Sequence, residues 1–222
     1  MLEFQQTDPE FVECFEKFAF DEVPNEPGQE LDEVSRYLSN LAILLGCQGV
    51  DAFKAILPRA LDGGLTPVMV KEVVYQAVNY IGMGRLYPFI RATNEVFNER
   101  GIELPLQPQR TVNDETKLHK GADVLVEIGD PALKDAWKTS AINKWLADNC
   151  FGEYYTRTGL DLKQRELITF CYIAAQGGCE PQLSFHSKAN LKVGNSREFL
   201  SKIIAQNIPF IGYPRSLNAR LV

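Results

Sequence analysis

The sequence predicts an all-α protein, and two features of the chain support this fold class. Apolar residues recur at intervals of three and four, as in the stretch with Leu167, Cys171, Ala174 and Ala175, which is the period of a helix that buries one face. No run of alternating β-branched residues, the pattern of a half-buried strand, competes with this period. The chain has 222 residues, of which 45% are hydrophobic and 23% charged, so it can build a globular core.

An internal repeat organises the chain. The motif Leu-Asp-x-x-x-Arg-x-Leu begins at Leu31 and again at Leu160, an offset of 129 residues. After a gap of one residue, the similarity continues at an offset of 130 from Gly64 and Gly194 onwards. Such self-similarity predicts two homologous helical units in tandem.

The boundary between the two units is predicted within the segment Gly101–Asn113. Pro105, Pro108 and several polar residues interrupt the periodic pattern there, as is typical of a linker. The predicted units are therefore residues 1–104 and residues 114–222.

The first elements of each unit follow from local signals. Amphipathic helices are expected over Glu10–Phe20 in the first unit and over Leu133–Asp148 in the second. Asp161 and Gln164 have the spacing of a capping box, which predicts the start of a helix that ends at Gly177-Gly178.

The remainder of the second unit is predicted to contain three further helices. One begins at Pro181, because the fixed φ and missing N–H of proline suit the first helical turn. Asn195 or Ser196 caps the next helix, which continues until Pro209. A short last helix is expected over Arg215–Arg220.

Matched positions that differ in chemical type indicate where one unit has a function that the other lacks. Under the offset of 129, four residues of the second unit are polar or reactive where the first unit has an aromatic or aliphatic side chain: Glu166 against Tyr37, Cys179 against Val50, Gln182 against Phe53, and His186 against Leu57. If either unit has an active site, the second unit is therefore expected to carry it.

These four residues are expected to form one cluster. Gln182 and His186 share one helix face, with Cys179 at the start of the same helix. The helix with Glu166 precedes it across a glycine turn, so the two helices should pack antiparallel. A carboxylate beside an imidazole makes a proton shuttle, and a thiol at a helix N-terminus has a stabilised thiolate. Each residue taken singly also has a structural explanation, and His119 is expected to be a structural residue in a polar connecting segment.

Charge and cysteine content exclude several classes of function. The 23 Lys and Arg residues against 29 Asp and Glu give a net charge of −6 without a basic run, so nucleic acid is not an expected partner. No apolar run approaches the ~18 residues of a membrane span, and the acidic start of the chain lacks secretory features, so we expect a cytoplasmic protein. Five cysteines at scattered spacings, without a Cys-x-x-Cys pair, predict neither a disulfide framework nor a zinc site.

Three stretches of the second unit have a family signature: Arg-Thr-Gly-Leu-Asp-Leu-Lys-Gln-Arg-Glu-Leu-Ile-Thr at 157–169, Gly-Gly-Cys-Glu-Pro-Gln-Leu-x-x-His at 177–186, and Val-Gly-Asn-Ser-Arg-Glu at 193–198. They closely resemble the carboxymuconolactone decarboxylase family of alkylhydroperoxidase D-like proteins, and the first unit resembles a degenerate copy. The resemblance implies an all-helical fold, assembly into trimers or hexameric rings, and no metal or organic cofactor. A trimer of double units would imitate a ring of six.

The resemblance leaves two chemistries open. In the decarboxylase branch, which removes CO2 from a lactone, the acid/base residue corresponds to His186 and its acidic partner to Glu166. In the alkylhydroperoxidase D branch, a Cys-x-x-Cys pair works as a thiol relay, and Cys179 corresponds to its first cysteine. Position 182 is Gln, so the internal disulfide of that relay cannot form.

The leading hypothesis is a cofactor-independent acid/base enzyme that acts on a small carboxylated lactone or a related enolisable compound. His186 would donate a proton to the product, and Glu166 would orient and recharge it. The residues expected to bind the substrate are Gln182, Arg157 and Arg165. The alternatives are a thiol-dependent peroxidase that uses Cys179 and a non-catalytic oligomeric binding protein.

Overall fold

The computed structural model describes residues 4–220, which form helices and connecting segments without a strand. The all-α prediction is therefore confirmed. The α-helices are α1 Pro9–Lys17, α2 Val23–Asn25, α3 Glu33–Gly46, α4 Val50–Asp62, α5 Pro67–Glu99, α6 Lys117–Ile128, α7 Ala141–Trp145, α8 Leu162–Gln176, α9 Glu180–Lys192, α10 Arg197–Gln206 and α11 Ile208–Arg220. The outermost residues of the two predicted units, 1–3 and 221–222, lie outside the described residues. Across residues 4–220, no helix combines the length and apolarity that a bilayer crossing requires.

The starts of helices α8 and α10 follow the predicted capping signals. The Asp161 carboxylate accepts a hydrogen bond from the Gln164 backbone N–H at 2.8 Å, and the Gln164 side chain accepts one from the Asp161 N–H at 3.1 Å. The capping box at the start of α8 is thus confirmed. Ser196, of the two predicted candidates, caps α10 through the Phe199 N–H, whereas Asn195 points inward and bonds to Asn190.

The prediction for Leu133–Asp148 is wrong. This stretch is a 3-10 segment over Pro131–Lys138, the short helix α7, and the start of a π-helix over Leu146–Tyr155. The Ser140 side chain accepts the Asn143 N–H and begins a new helix in the middle of the predicted one. Helix α6 was not predicted, and it places His119 on an exposed helical surface beside Trp137.

The main helices recur in the order that the repeat predicts. Helix α3 corresponds to α8, helix α4 to α9, and the long α5 to α10 followed by α11. The kinks also correspond, because Gly82 in α5 and Gly212 in α11 adopt the same positive φ, 74° and 73°. These matches support two related units, and the boundary between them stays a prediction.

The structure revises the register of the repeat in α4 and α9. Gly49 and Cys179 are the N-cap positions of these helices, which sets their offset at 130 and not at 129. The pattern of burial agrees with the offset of 130. With this offset, the buried residues of α4 match buried residues of α9: Phe53 matches Leu183, Ile56 matches His186, and Ala60 matches Asn190. The extra residue therefore lies in the α8–α9 turn. The structural counterparts are Gly49 for Cys179, Ala52 for Gln182 and Ile56 for His186, so the contrast between small or apolar residues and polar ones is kept.

Both units contribute to one large hydrophobic core, in which α3 packs against α8 and α5 packs against both. Tyr172 of α8 reaches across this core and donates a hydrogen bond to the Val73 carbonyl of α5. A smaller core lies under α6 and the π-helix Leu146–Tyr155, and it contacts α9 through Ala189. Helices α8 and α9 are therefore held between the two cores.

Candidate active site

The predicted acid/base pair is formed by two side chains on the antiparallel helices α8 and α9. Nδ1 of His186 lies 2.8 Å from Oε2 of Glu166. The residue Glu166 has no exposed surface, and His186 is 6% exposed. The turn between the helices is tight: Gly177 has φ of +68°, and a Cβ there would collide with the guanidinium of Arg215. This glycine turn brings α9 back along α8, so that the imidazole reaches the carboxylate.

Asn190 holds the backbones of the pair in place. Its Nδ2 donates to the Glu166 carbonyl at 2.9 Å and to the His186 carbonyl at 2.8 Å. Asn195 in turn donates to Oδ1 of Asn190 at 2.8 Å. Sequence reasoning missed both amides, although a signal was present. With the revised offset, Asn190 matches Ala60 and Asn195 matches Leu65, the same contrast that identified His186.

Aromatic rings enclose the imidazole. The Tyr80 ring of α5 and the Phe185 ring meet it edge to face, with centroids at 5.9 Å and 5.1 Å. Nε2 of His186 hydrogen-bonds to no described residue and is not among the fully enclosed polar atoms, so it retains contact with solvent. Oε1 of Glu166, by contrast, is fully enclosed and has no hydrogen-bond partner among the described residues. An enclosed, half-satisfied carboxylate beside an imidazole is an arrangement found at functional sites.

A buried hydrogen-bond network continues from Tyr80 into the core. The Tyr80 and Tyr155 hydroxyls lie 3.0 Å apart, and the Tyr155 hydroxyl lies 2.7 Å from Oγ1 of Thr169. Gln76 donates to the same Thr169 oxygen at 2.9 Å. Burial raises the pKa of Tyr80 and of Tyr155 well above the usual value. Both tyrosines therefore stay protonated and act as neutral hydrogen-bonding groups.

The thiol of Cys179 lies apart from the pair. It is half-buried at the N-cap of α9, and its Sγ accepts a hydrogen bond from the Gln176 amide at 3.3 Å. It lies seven positions before His186 on the same helix face, which corresponds to a rise of about 10 Å along the helix. All five cysteines are free thiols. Gln182 lies exposed between the two, and its side chain hydrogen-bonds to no other described residue.

Comparison with known proteins finds a family similarity for the segment that contains this pair. The model of the carboxymuconolactone decarboxylase family matches residues 141–222. The resemblance is confirmed for this segment. A crystal structure of a proposed gamma-carboxymuconolactone decarboxylase subunit from Burkholderia xenovorans LB400 is similar over 98% of this chain and 86% of that one, with a TM-score of 0.56 and 20% identity. At this identity the likeness concerns the fold. No curated protein matches the chain significantly.

Within the segment that the family model matches, the two predicted substrate-binding arginines are engaged elsewhere. Arg157 donates from Nε and Nη2 to both oxygens of Glu72, at 2.9–3.0 Å. Arg165 is fully buried, and its guanidinium donates to Glu72 at 3.0 Å and to Gln76 at 2.8 Å. Neither arginine hydrogen-bonds to His186 or Glu166. The geometry therefore assigns Arg165 to the core, and it does not support the predicted contact between Arg165 and the substrate.

Proposed function

We propose that the chain is a carboxymuconolactone decarboxylase-like acid/base enzyme that needs no cofactor and acts on a small carboxylated lactone or a related enolisable compound. One observation carries this proposal: the buried Glu166 carboxylate binds Nδ1 of His186 and leaves Nε2 open to solvent. The family match of residues 141–222, which include both residues, supports it.

The pair can supply the proton that decarboxylation requires. Loss of CO2 breaks a C–C bond and leaves its electron pair on the product as an enolate, which must be protonated at carbon. His186 as an imidazolium donates the Nε2 proton. The resulting neutral imidazole keeps its Nδ1 proton and donates it in the hydrogen bond to Glu166. Solvent then returns a proton to Nε2. Glu166 stabilises the imidazolium and fixes the orientation of the ring. The apolar surroundings strengthen the attraction between the carboxylate and the imidazolium, because they exclude water from the contact.

In this proposal, Gln182 is the residue that contacts the substrate near the pair. Its exposed amide lies one helical turn before His186 and can both donate and accept. Tyr80 and Phe185 provide flat walls for an unsaturated ring. Cys179 lies on the same face but farther from the imidazole, so it lines the approach without entering the proton transfer.

The experiment ranks four variants for CO2 release from a panel of carboxylated lactones. His186→Gln should lose a hundredfold or more in turnover, the usual value of a positioned proton donor of ~10²–10⁴. Glu166→Gln should lose less, and Cys179→Ala should stay within a few-fold of the parent. Ile56→Val changes the structural counterpart of His186 in the first unit, so it serves as the matched control and should leave turnover unchanged.

The competing chemistry predicts the reverse order. A thiol peroxidase would lose peroxide consumption in Cys179→Ala, because the nucleophile is gone, and would tolerate His186→Gln better. A dead Cys179→Ala protein alongside a nearly normal His186→Gln protein would therefore refute the acid/base proposal. Far-ultraviolet circular dichroism of each variant separates loss of chemistry from loss of fold.

We also propose that the protein works as a ring-like oligomer, either a trimer of double units or a hexamer. After the kinks at Gly82 and Gly212, each unit exposes two large apolar side chains at matching positions. These residues are Met83 and Tyr87 in the first unit, and Tyr213 and Leu217 in the second. Apolar surface repeated by both units is a surface that further copies could cover in a closed arrangement.

A further inference from the structure

A cavity lies away from His186, between helix α5 and the segment 104–109 that follows it. Its volume is about 420 Å³. The apolar part of its wall includes Val68, Leu104 and Leu106. Its charged part consists of Lys71, Glu72 and Arg157, of which Glu72 is the single acidic residue in the wall. The cavity thus combines an apolar surface with an excess of positive charge.

Lys71 has no carboxylate to balance its charge. The residue is 6% exposed, and its Nζ donates to Oδ1 of Asn94. Within residues 4–220, no carboxylate lies within 4.0 Å of this Nζ. Its other close neighbours are the rings of Tyr75 and Phe97, with centroids at 5.7 Å and 5.5 Å. The Lys71 ammonium therefore keeps donor positions that no described residue fills.

The neighbouring charges do not compensate Lys71. The Glu72 carboxylate is shared between Arg157 and Arg165, so this trio itself carries a net positive charge. Glu153, the nearest acidic residue that precedes Arg157 in sequence, pairs with Arg110 at 2.9 Å. Arg157 lies 5.7 Å from the Tyr75 ring centre, as does Lys71, and its Nη1 hydrogen-bonds to no described residue. Two cationic groups with unfilled donor positions therefore lie near the same ring and line the same cavity.

Burying an unbalanced charge is costly, because water solvates an ammonium better than a protein interior does. Desolvation indeed lowers the pKa of Lys71. The contacts with the Tyr75 and Phe97 rings offset only part of this cost, because they supply neither a countercharge nor a hydrogen-bond acceptor for the ammonium. The chain as a whole has a net charge of −6, so the excess of positive charge at this cavity is a local feature that its average composition does not explain. An anion in the cavity would supply the missing countercharge and the missing acceptors.

We propose that this cavity binds a small organic carboxylate, with the carboxylate group between Lys71 and Arg157 and the apolar body against Val68, Leu104 and Leu106. The apolar wall favours an organic acid over an inorganic anion. The site is separate from the His186–Glu166 pair, so it adds a binding function to that of the proposed enzyme. It uses Lys71 and Asn94 of the first unit together with Arg157 of the second.

Isothermal titration calorimetry with benzoate tests the proposal on the full-length protein. Benzoate should bind, whereas benzamide, which has the same ring without the charge, and acetate, which lacks the ring, should bind at least about tenfold more weakly. Inorganic phosphate should also bind more weakly. Equal binding of benzamide, or phosphate binding as tight as that of benzoate, would overturn the assignment of a carboxylate. Absence of benzoate binding at tens of millimolar would overturn it entirely.

Two variants localise the binding. Lys71→Gln removes the charge and keeps a polar group beside Asn94, and Asn94→Asp places a carboxylate there without a change of shape. Each should weaken benzoate binding roughly tenfold or more, as expected for a lost charge-assisted contact. Asn98→Asp adds the same charge at an exposed position of the same helix and should leave binding intact. His186→Gln should also bind benzoate normally, which separates this site from the proposed active site. Unchanged binding in Lys71→Gln and Asn94→Asp would refute the location.

Discussion

The pairing of Arg157 and Arg165 with Glu72 predicts a large loss of stability when Glu72 becomes Gln. The Glu72 side chain is 1% exposed and accepts three hydrogen bonds from Arg157 and one from Arg165. Arg165 is equally buried, and desolvation lowers its pKa despite the nearby carboxylate. Glu72→Gln keeps the size of the side chain but removes the carboxylate to which both guanidinium groups donate.

Removal of one partner from a buried ion pair costs about 3–5 kcal/mol, because the remaining charge stays desolvated. Each kcal/mol lowers the melting temperature by ~2–4 °C for a chain of this size. The variant should therefore unfold roughly 6–20 °C below the parent. Circular dichroism at a fixed protein concentration measures this shift, since oligomerisation makes melting temperatures depend on concentration.

The matched control is Glu95→Gln, which changes another carboxylate of helix α5, one that pairs with Lys54 of α4. That pair is also close, at 2.8 Å, but both side chains are more than 40% exposed. Exposed pairs contribute ~0–1 kcal/mol, so the control should shift by a few degrees at most. If Glu72→Gln melts at the same temperature as the control, Glu72 does not hold the two arginines, and the assignment of Arg165 to the core loses its basis.

Two further predictions concern the thiols and the assembly. Burial raises the pKa of the Cys150 thiol to about 12 and that of the Cys171 thiol further. In the folded protein at pH 8, iodoacetamide should therefore alkylate the exposed Cys14 and spare Cys150 and Cys171, which peptide mapping by mass spectrometry measures. Modification of Cys150 before unfolding would contradict the structure. Sedimentation velocity at micromolar concentration should give a species several times larger than the 25.0 kDa chain. Tyr87→Glu should shift this species towards the monomer. A parent protein that sediments as a single 25.0 kDa species would refute the proposed ring.

Local signals explain why much of the fold was predictable from sequence. The start of α8 depends on Asp161 and Gln164, three residues apart, and its end depends on the glycine that follows. Contacts of this range are visible in the sequence, because the interacting groups lie within one helical turn. The Glu166–His186 pair was predictable for a similar reason, since a short glycine turn joins the helices that carry it.

Long-range partners could not be predicted in this way. Arg165 meets Glu72 and Gln76 across 93 and 89 residues of chain, and nothing local to Arg165 indicates an acidic partner. Its repeat counterpart Arg36 pairs instead with Glu33, three residues away, so even the repeat gave no guide. The same holds for the wall that Tyr80 provides beside His186, which depends on how α5 packs against α8 and α9. Tertiary packing, and not propensity, decides these contacts.

The first unit is therefore part of the candidate active site, although it lacks an acid/base pair of its own. Gln76 donates to Thr169 and to the Arg165 carbonyl, and its oxygen accepts from the Arg165 guanidinium, so every polar atom of this buried amide that faces α8 has a partner. A saturated buried amide specifies one register between two helices, because a shift by one residue would leave several polar groups unpaired. The repeat counterpart Gln206 is only half satisfied: its Nε2 donates to the Gln29 carbonyl at 2.6 Å, but its enclosed Oε1 has no partner among the described residues. Gln76 thus fixes α8 against α5, and with it the position of Glu166 relative to Tyr80.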